Sequence, residues 1–224
     1  MPKSNVKVKI CGITNWADAR CACRSGADFL GFNFYPRSSR YIDPERARPI
    51  VRRLPANVSS VGIFVNEPPG NLIRTVRAVG LKYVQLHGDE TPGMVSRLRR
   101  TLGAVKIIKA IRVRRAGDVK KVTRFNGVSA VLLDGFDARV RGGAGKTFDW
   151  SLASYANGHQ RVFLAGGLTP ENVAGAIRVV RPYAIDVCSG VESSPGKKDR
   201  AKIRALMRAV NGANEPKRKT RRRK

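Results

Sequence analysis

The chain has 224 residues, 42% of them apolar, with 22 glycines and 12 prolines spread along it as punctuation. That length supports one sizeable core, and the composition excludes a fibrous or wholly disordered chain. No apolar run approaches the roughly 18 residues of a membrane-crossing helix, while 44 basic against 16 acidic residues give a net charge of +28, a field that attracts phosphates and polyanions and says nothing of fold.

Taken in order, short apolar strands alternate with amphipathic helices. The strand-like segments are Val6–Ile10, Phe29–Phe34, Ser60–Val65, Tyr83–Leu86, Val105–Ile111, Ala130–Leu133, Val162–Ala165 and Ala184–Val187. Each leads into polar or glycine-rich sequence and then into helical spacing. Several helix starts are marked: Asn15 before Trp16–Ser25, Asp43-Pro44 opening Glu45–Leu54, Thr169-Pro170 opening Glu171–Val180, and Asp199 before Arg200–Val210. Asn and Asp accept from the first free helical N–H groups, and proline suits the first helical position. Eight strand–helix units imply parallel pairing through crossover helices. The predicted fold is a single-domain α/β (β/α)₈ TIM barrel over residues 1–212, followed by a basic, disordered C-terminal tail over 213–224. An open doubly wound sheet is the competing architecture.

A barrel of this kind puts its chemistry just past the strand ends, with phosphate often held after strands seven and eight. Strand one alternates, so Lys7, Lys9 and Cys11 share the face opposite Val8 and Ile10. A lysine beside a thiol favours the thiolate; the other reading of Cys11 is an inert buried cysteine. The loop after strand two carries Arg37 and Arg40, whose paired donors suit a carboxylate. His87 ends strand four, as a polar pocket wall or a structural histidine. Asp134 ends strand six at the mouth, suited to giving a proton or to capping a turn. The following loop, Gly135–Gly145, is long enough to cover a site.

The turns Ala165-Gly166-Gly167-Leu168 and Cys188-Ser189-Gly190-Val191 expose backbone N–H groups on neighbouring strands and form a cradle for a phosphate monoester. Asp186, one inward step before Cys188, could bind a sugar hydroxyl. By contrast, Gly142–Thr147 is no P-loop, because Val140 stands where the first glycine is required. The four cysteines match no zinc spacing, and Cys21 and Cys23 read as helix packing residues. No metal site is expected. The last ten residues hold seven bases and one acid; without interleaved aromatics they read as a solvated end, with nucleic acid a disfavoured partner. Strand-like sequence from Val6 leaves no room for a secretory leader, so the expected location is cytoplasmic.

Together the segments Lys9-Ile10-Cys11-Gly12-Ile13-Thr14, Gly31-Phe32-Asn33-Phe34-Tyr35-Pro36 with Ser39-Arg40-Tyr41, Gln85-Leu86-His87-Gly88, Gly142–Trp150, Ala165–Leu168 and Asp186–Glu192 resemble the phosphoribosylanthranilate isomerase family of tryptophan biosynthesis. The resemblance runs in order over residues 6–210. It implies a (β/α)₈ barrel without metal or organic cofactor, working as a monomer or homodimer on a phosphorylated small-molecule substrate. It also implies an Amadori rearrangement with Cys11 as general base and Asp134 as general acid. Arg40 would hold the anthranilate carboxylate, His87 and Asp186 the substrate, and Gly166, Gly167, Ser189 and Gly190 its phosphate. Gly135, Ala165 and Cys188 depart from the usual family residues, Cys188 replacing a common serine. The alternatives are a phosphosugar isomerase of another specificity and a polyanion- or nucleic-acid-binding protein on the same barrel.

Overall fold

A computed structural model describes residues 6–135 and 150–214. Eight parallel strands close on themselves: β1 (Lys7–Ile10), β2 (Phe29–Asn33), β3 (Ser59–Phe64), β4 (Tyr83–Leu86), β5 (Lys106–Val113), β6 (Ala130–Gly135), β7 (Val162–Ala165) and β8 (Ala184–Val187). Closure runs through β1 and β8, with Lys9 opposite Asp186 and Ile10 opposite Val187. The chain therefore has the predicted (β/α)₈ architecture, and the expected strands agree with the observed ones to within about two residues.

The helices are α1 (Trp16–Arg24), α2 (Pro44–Arg52), α3 (Pro69–Val79), α4 (Pro92–Leu102), α5 (Ala116–Val119), α6 (Ser154–Asn157), α7 (Val173–Val180) and α8 (Arg200–Asn214). Asn15 caps α1 by accepting from Asp18 N–H at 2.9 Å, and Asp43 caps α2 by accepting from Glu45 N–H at 2.8 Å. Asp199 accepts from Ala201 and Lys202 at the start of α8, which continues past the expected Val210 to Asn214. The start of α7 differs from expectation. Asn172 Oδ1 accepts from Thr169 N–H and its Nδ2 donates to Gly167 O, tying residues 167–172 into a turn, and the helix begins only at Val173. Helices α5 and α6 are stubs of four residues, each adjoining a 3₁₀ turn. Between β8 and α8 lies an unanticipated hairpin, β9 (Glu192–Ser194) with β10 (Lys197–Lys198), turning at Pro195-Gly196.

Two apolar layers follow from strand alternation. Outward residues such as Val8, Ile10, Leu30, Phe32, Val84, Leu133 and Leu164 pack against the helices, joined by the half-buried Cys21 and Cys23 of α1. Inward residues Phe29, Val61, Ile108, Leu132 and Phe163 fill the barrel, with Phe29 edge-on to Tyr83 and Phe163 at 5.5 and 5.2 Å between ring centres. This plug makes the interior a packed floor rather than a channel, and the polar residues sit above it.

Candidate active site

Above the floor, inward positions become polar. Lys9 on β1 is wholly buried, and both oxygens of Asp186, directly opposite on β8, accept from its Nζ at 2.9 Å. A buried charge needs such a partner. Burial acts to lower the Lys9 ammonium, yet the charges of Asp186 and Cys11, with the hydrogen bonds to Asp186, outweigh it and hold Lys9 above its ordinary value. For Asp186 burial prevails over the Lys9 attraction and pushes the carboxyl up to about 7. The shared proton of this pair therefore stays on Lys9. Lys7, by contrast, points outward to Asp28 at 2.7 Å and takes no part in the interior.

Cys11 follows β1 at the mouth. The strongest influence on it is the neighbouring Cys188 thiol, which favours the thiolate; burial opposes this, and the Lys9 and Lys198 charges add to the lowering. The result is a Cys11 thiol well below its ordinary pKa and a Cys188 thiol driven up. Arg40 arrives from the loop after β2, its Nε bonded to both oxygens of Glu192 at 3.0 and 3.1 Å and its Nη2 to Oε2 at 2.7 Å. Lys198 Nζ donates to the same carboxylate at 2.7 Å. Burial acts to raise Glu192, but these bonds and charges outweigh it and hold the group ionised below its usual value. Arg40 is thus clamped along one edge, with Nη1 left facing outward near Ser39.

On the far side, Gln85 Nε2 meets His87 Nδ1 at 2.8 Å and His87 Nε2 meets Asp134 Oδ2 at 3.3 Å. With Gln85 as donor, the imidazole proton lies on Nε2 and faces the carboxylate. Beside Asp134, a Cβ on Gly166 would fall 2.5 and 2.6 Å from the Gly135 backbone O and N, at a φ of +91°. Only glycine lets the two turns approach so closely. Gly190 is equally constrained, because any Cβ there would overlap the Leu168 carbonyl.

These groups share one cavity of about 300 Å³, whose wall includes Cys11, Arg40, His87, Asp134, Asp186, Gly166, Gly167 and Ser189. Gly190 alone among the expected residues stays out of the wall, behind Ser189. A second cavity of about 270 Å³ opens beyond His87 over the buried Lys109–Glu90 pair. The reading of residues missed Glu192 and Lys198, both in the unanticipated hairpin, although Pro195-Gly196 is a turn signal that would have exposed it. It also gave no role to Gln85, which stands in the Gln85-Leu86-His87-Gly88 segment and otherwise carries only its inward register. The covering loop and the discarded P-loop segment, residues 136–149, lie outside the described residues, as does most of the basic tail. Among the described residues no cluster of three or more His, Cys, Asp or Glu side chains is arranged to hold a metal, and no helix is long and apolar enough to cross a membrane.

A closed (β/α)₈ barrel with ionisable groups across its mouth and glycine turns after β7 and β8 has the architecture of a barrel enzyme. The model of the family N-(5′-phosphoribosyl)anthranilate (PRA) isomerase matches residues 8–209. The N-(5′-phosphoribosyl)anthranilate isomerase of Pelobacter propionicus is 48% identical over 203 residues, 91% of this chain and 94% of that protein. The crystal structure of the Thermotoga maritima phosphoribosyl anthranilate isomerase is 45% identical with a TM-score of 0.86, covering 92% of this chain and 99% of that one. A phosphoribosyl anthranilate isomerase solved with reduced 1-(o-carboxyphenylamino)-1-deoxyribulose 5-phosphate matches at 43% identity and a TM-score of 0.83, over 92% and 99% of the two chains. The chain belongs to the N-(5′-phosphoribosyl)anthranilate isomerase family.

Proposed function

We propose that this chain converts N-(5′-phosphoribosyl)anthranilate to 1-(2-carboxyphenylamino)-1-deoxyribulose 5-phosphate, with Cys11 as general base and Asp134 as general acid. Asp134 gives its proton to the ribose ring oxygen as the C1′–O bond breaks, leaving a Schiff base on the anthranilate nitrogen. The Cys11 thiolate removes the C2′ proton, and the electrons of that bond neutralise the iminium to give an enolamine. Loss of the 2′-hydroxyl proton and protonation at C1′ then yield the ketone, so the reaction is a net isomerisation. General acid–base groups of this sort typically contribute about 10²–10⁴-fold.

The observation that carries the reading is the common cavity: a low-pKa thiol on the β1 side, a carboxyl on the β6 side, and glycine turns of β7 and β8 beside them. Backbone N–H groups at Gly166, Gly167, Ser189 and Gly190 would seat the phosphate, the outward edge of Arg40 the anthranilate carboxylate, and His87 and Asp186 would bound the ribose. Asp186 serves this role through its Lys9 pair more than through a free oxygen. The same reading makes the protein a cytoplasmic enzyme, monomer or homodimer, whose barrel (residues 1–212) turns over without the basic residues beyond it. The deciding assay is loss of substrate fluorescence when freshly made phosphoribosylanthranilate is fed to the purified protein. Rapid loss is expected, and an unchanged rate relative to buffer would reject the activity.

A further inference from the structure

The register of β1 and β8 continues one step beyond Ile10 and Val187. Cys11 N–H donates to Val187 O at 2.9 Å, so Cys11 and Cys188 follow as neighbours across the barrel seam. Adjacent strands lie about 4.8 Å apart, inside the roughly 4.4–6.8 Å between Cα atoms that a disulfide requires. Both are free thiols and both line the same cavity, with the Cys188 Sγ 3.8 Å from Glu192 Oε1, its hydrogen-bond acceptor. Cys21 and Cys23 sit apart, packed on α1.

We propose that Cys11 and Cys188 are an oxidisable pair that closes to an intramolecular disulfide when a peroxide enters the cavity. The Cys11 thiolate, the more nucleophilic member because Cys188, Lys9 and Lys198 support its charge, attacks one peroxide oxygen. The O–O bond breaks, hydroxide leaves, and Cys11 becomes a sulfenic acid. The Cys188 sulfur then attacks that sulfur, and its proton leaves with the sulfenic hydroxyl as water. The two sulfurs lose two electrons and the peroxide gains them. Lys198 Nζ, 3.9 Å from Cys188 Sγ, favours departure of the Cys188 proton. The pairing stands on geometry alone; its consequence for turnover rests on the reading of Cys11 as general base, because a sulfur held in a disulfide accepts no proton.

The test treats full-length protein with hydrogen peroxide, blocks free thiols, digests without reduction and reads the peptides by mass spectrometry. A cross-link between the Cys11 and Cys188 peptides is expected, lost after dithiothreitol, with turnover falling in step with the cross-linked fraction and returning on reduction. In Cys188→Ser, whose folding circular dichroism checks independently, the cross-link is absent and Cys11 is trapped as a sulfenic adduct by dimedone. Cys11 recovered as sulfinic acid beside a free Cys188 in the unaltered chain would overturn the pairing, as would cross-linking of Cys21 or Cys23 instead. A Cys11–Cys188 cross-link with undiminished turnover would uphold the pairing and remove Cys11 as base.

Discussion

The two sides of the barrel mouth are built on opposite principles. On the seam between β1 and β8, the Lys9–Asp186 pair and the Arg40–Glu192–Lys198 cluster flank Cys11 and Cys188, with most of the charged groups buried. On the side of β4 and β6, Gln85, His87 and Asp134 form a short chain of two contacts, with the His87 and Asp134 side chains 21% and 29% exposed. A thiolate in a half-buried pocket exists only if cations and donors surround it. A carboxyl that gives and regains a proton needs the reverse, an approachable position with a single polar neighbour to aim it. Under the proposed roles, the mouth thus sets a charge-supported thiol opposite an approachable carboxyl.

The largest expected effects come from removing either pole. Cys11→Ala and Asp134→Asn should each lower kcat by about 10²–10⁴-fold with an unchanged circular dichroism spectrum; a near-normal kcat in either would erase the contrast. Next comes the seam's foundation. Lys9→Met leaves Asp186 buried without its partner, a loss of about 3–5 kcal/mol in urea unfolding. It also removes a cation from beside Cys11, so the pH dependence of Cys11 alkylation should move to higher pH. An unmoved alkylation profile would show that Lys9 serves only the fold.

Smaller effects test the supports. Arg40→Ala should raise KM more than it lowers kcat if its outward guanidinium edge holds the carboxylate as proposed, away from the ribose; an equal loss in both parameters would place it in the chemistry. The pH dependence of stability follows from Glu192. Its folded pKa lies below its unfolded value, so its contribution is fully present above about pH 4.5 and is lost as pH falls through the folded value. Glu192→Gln should therefore flatten the fall in urea stability on acidification below that point, and an unchanged slope would mean that Arg40 and Lys198 do not hold this carboxylate.

The barrel was readable because its strands are short apolar runs with clear bounds: Tyr83–Leu86, Val162–Ala165 and Ala184–Val187 begin and end where the apolar pattern does. The residues that share the cavity were readable as neighbours because strand ends and glycine turns mark them. The network on the seam was not. Period two puts Lys9 and Asp186 on inward faces, yet only the β1–β8 register, set by closure of all eight strands, makes them opposite. Glu192 and Lys198 sit in a hairpin of three and two residues, too short for any period to register. In a chain with 44 basic residues, nothing local distinguishes Lys198, which reaches the Glu192 carboxylate, from the lysines that meet water.

Val6 N–H meets Asn214 Oδ1 at 3.3 Å, so the first described residue touches the last. The Cys11 pocket joins the end of β1 to β8 and the hairpin after it, so it exists only once residue 198 has left the ribosome. A circular permutant, with those ends sewn together by a few glycines and new termini cut in the exposed turn after α3, would keep its seam uncut while changing when during translation the thiol meets its lysines.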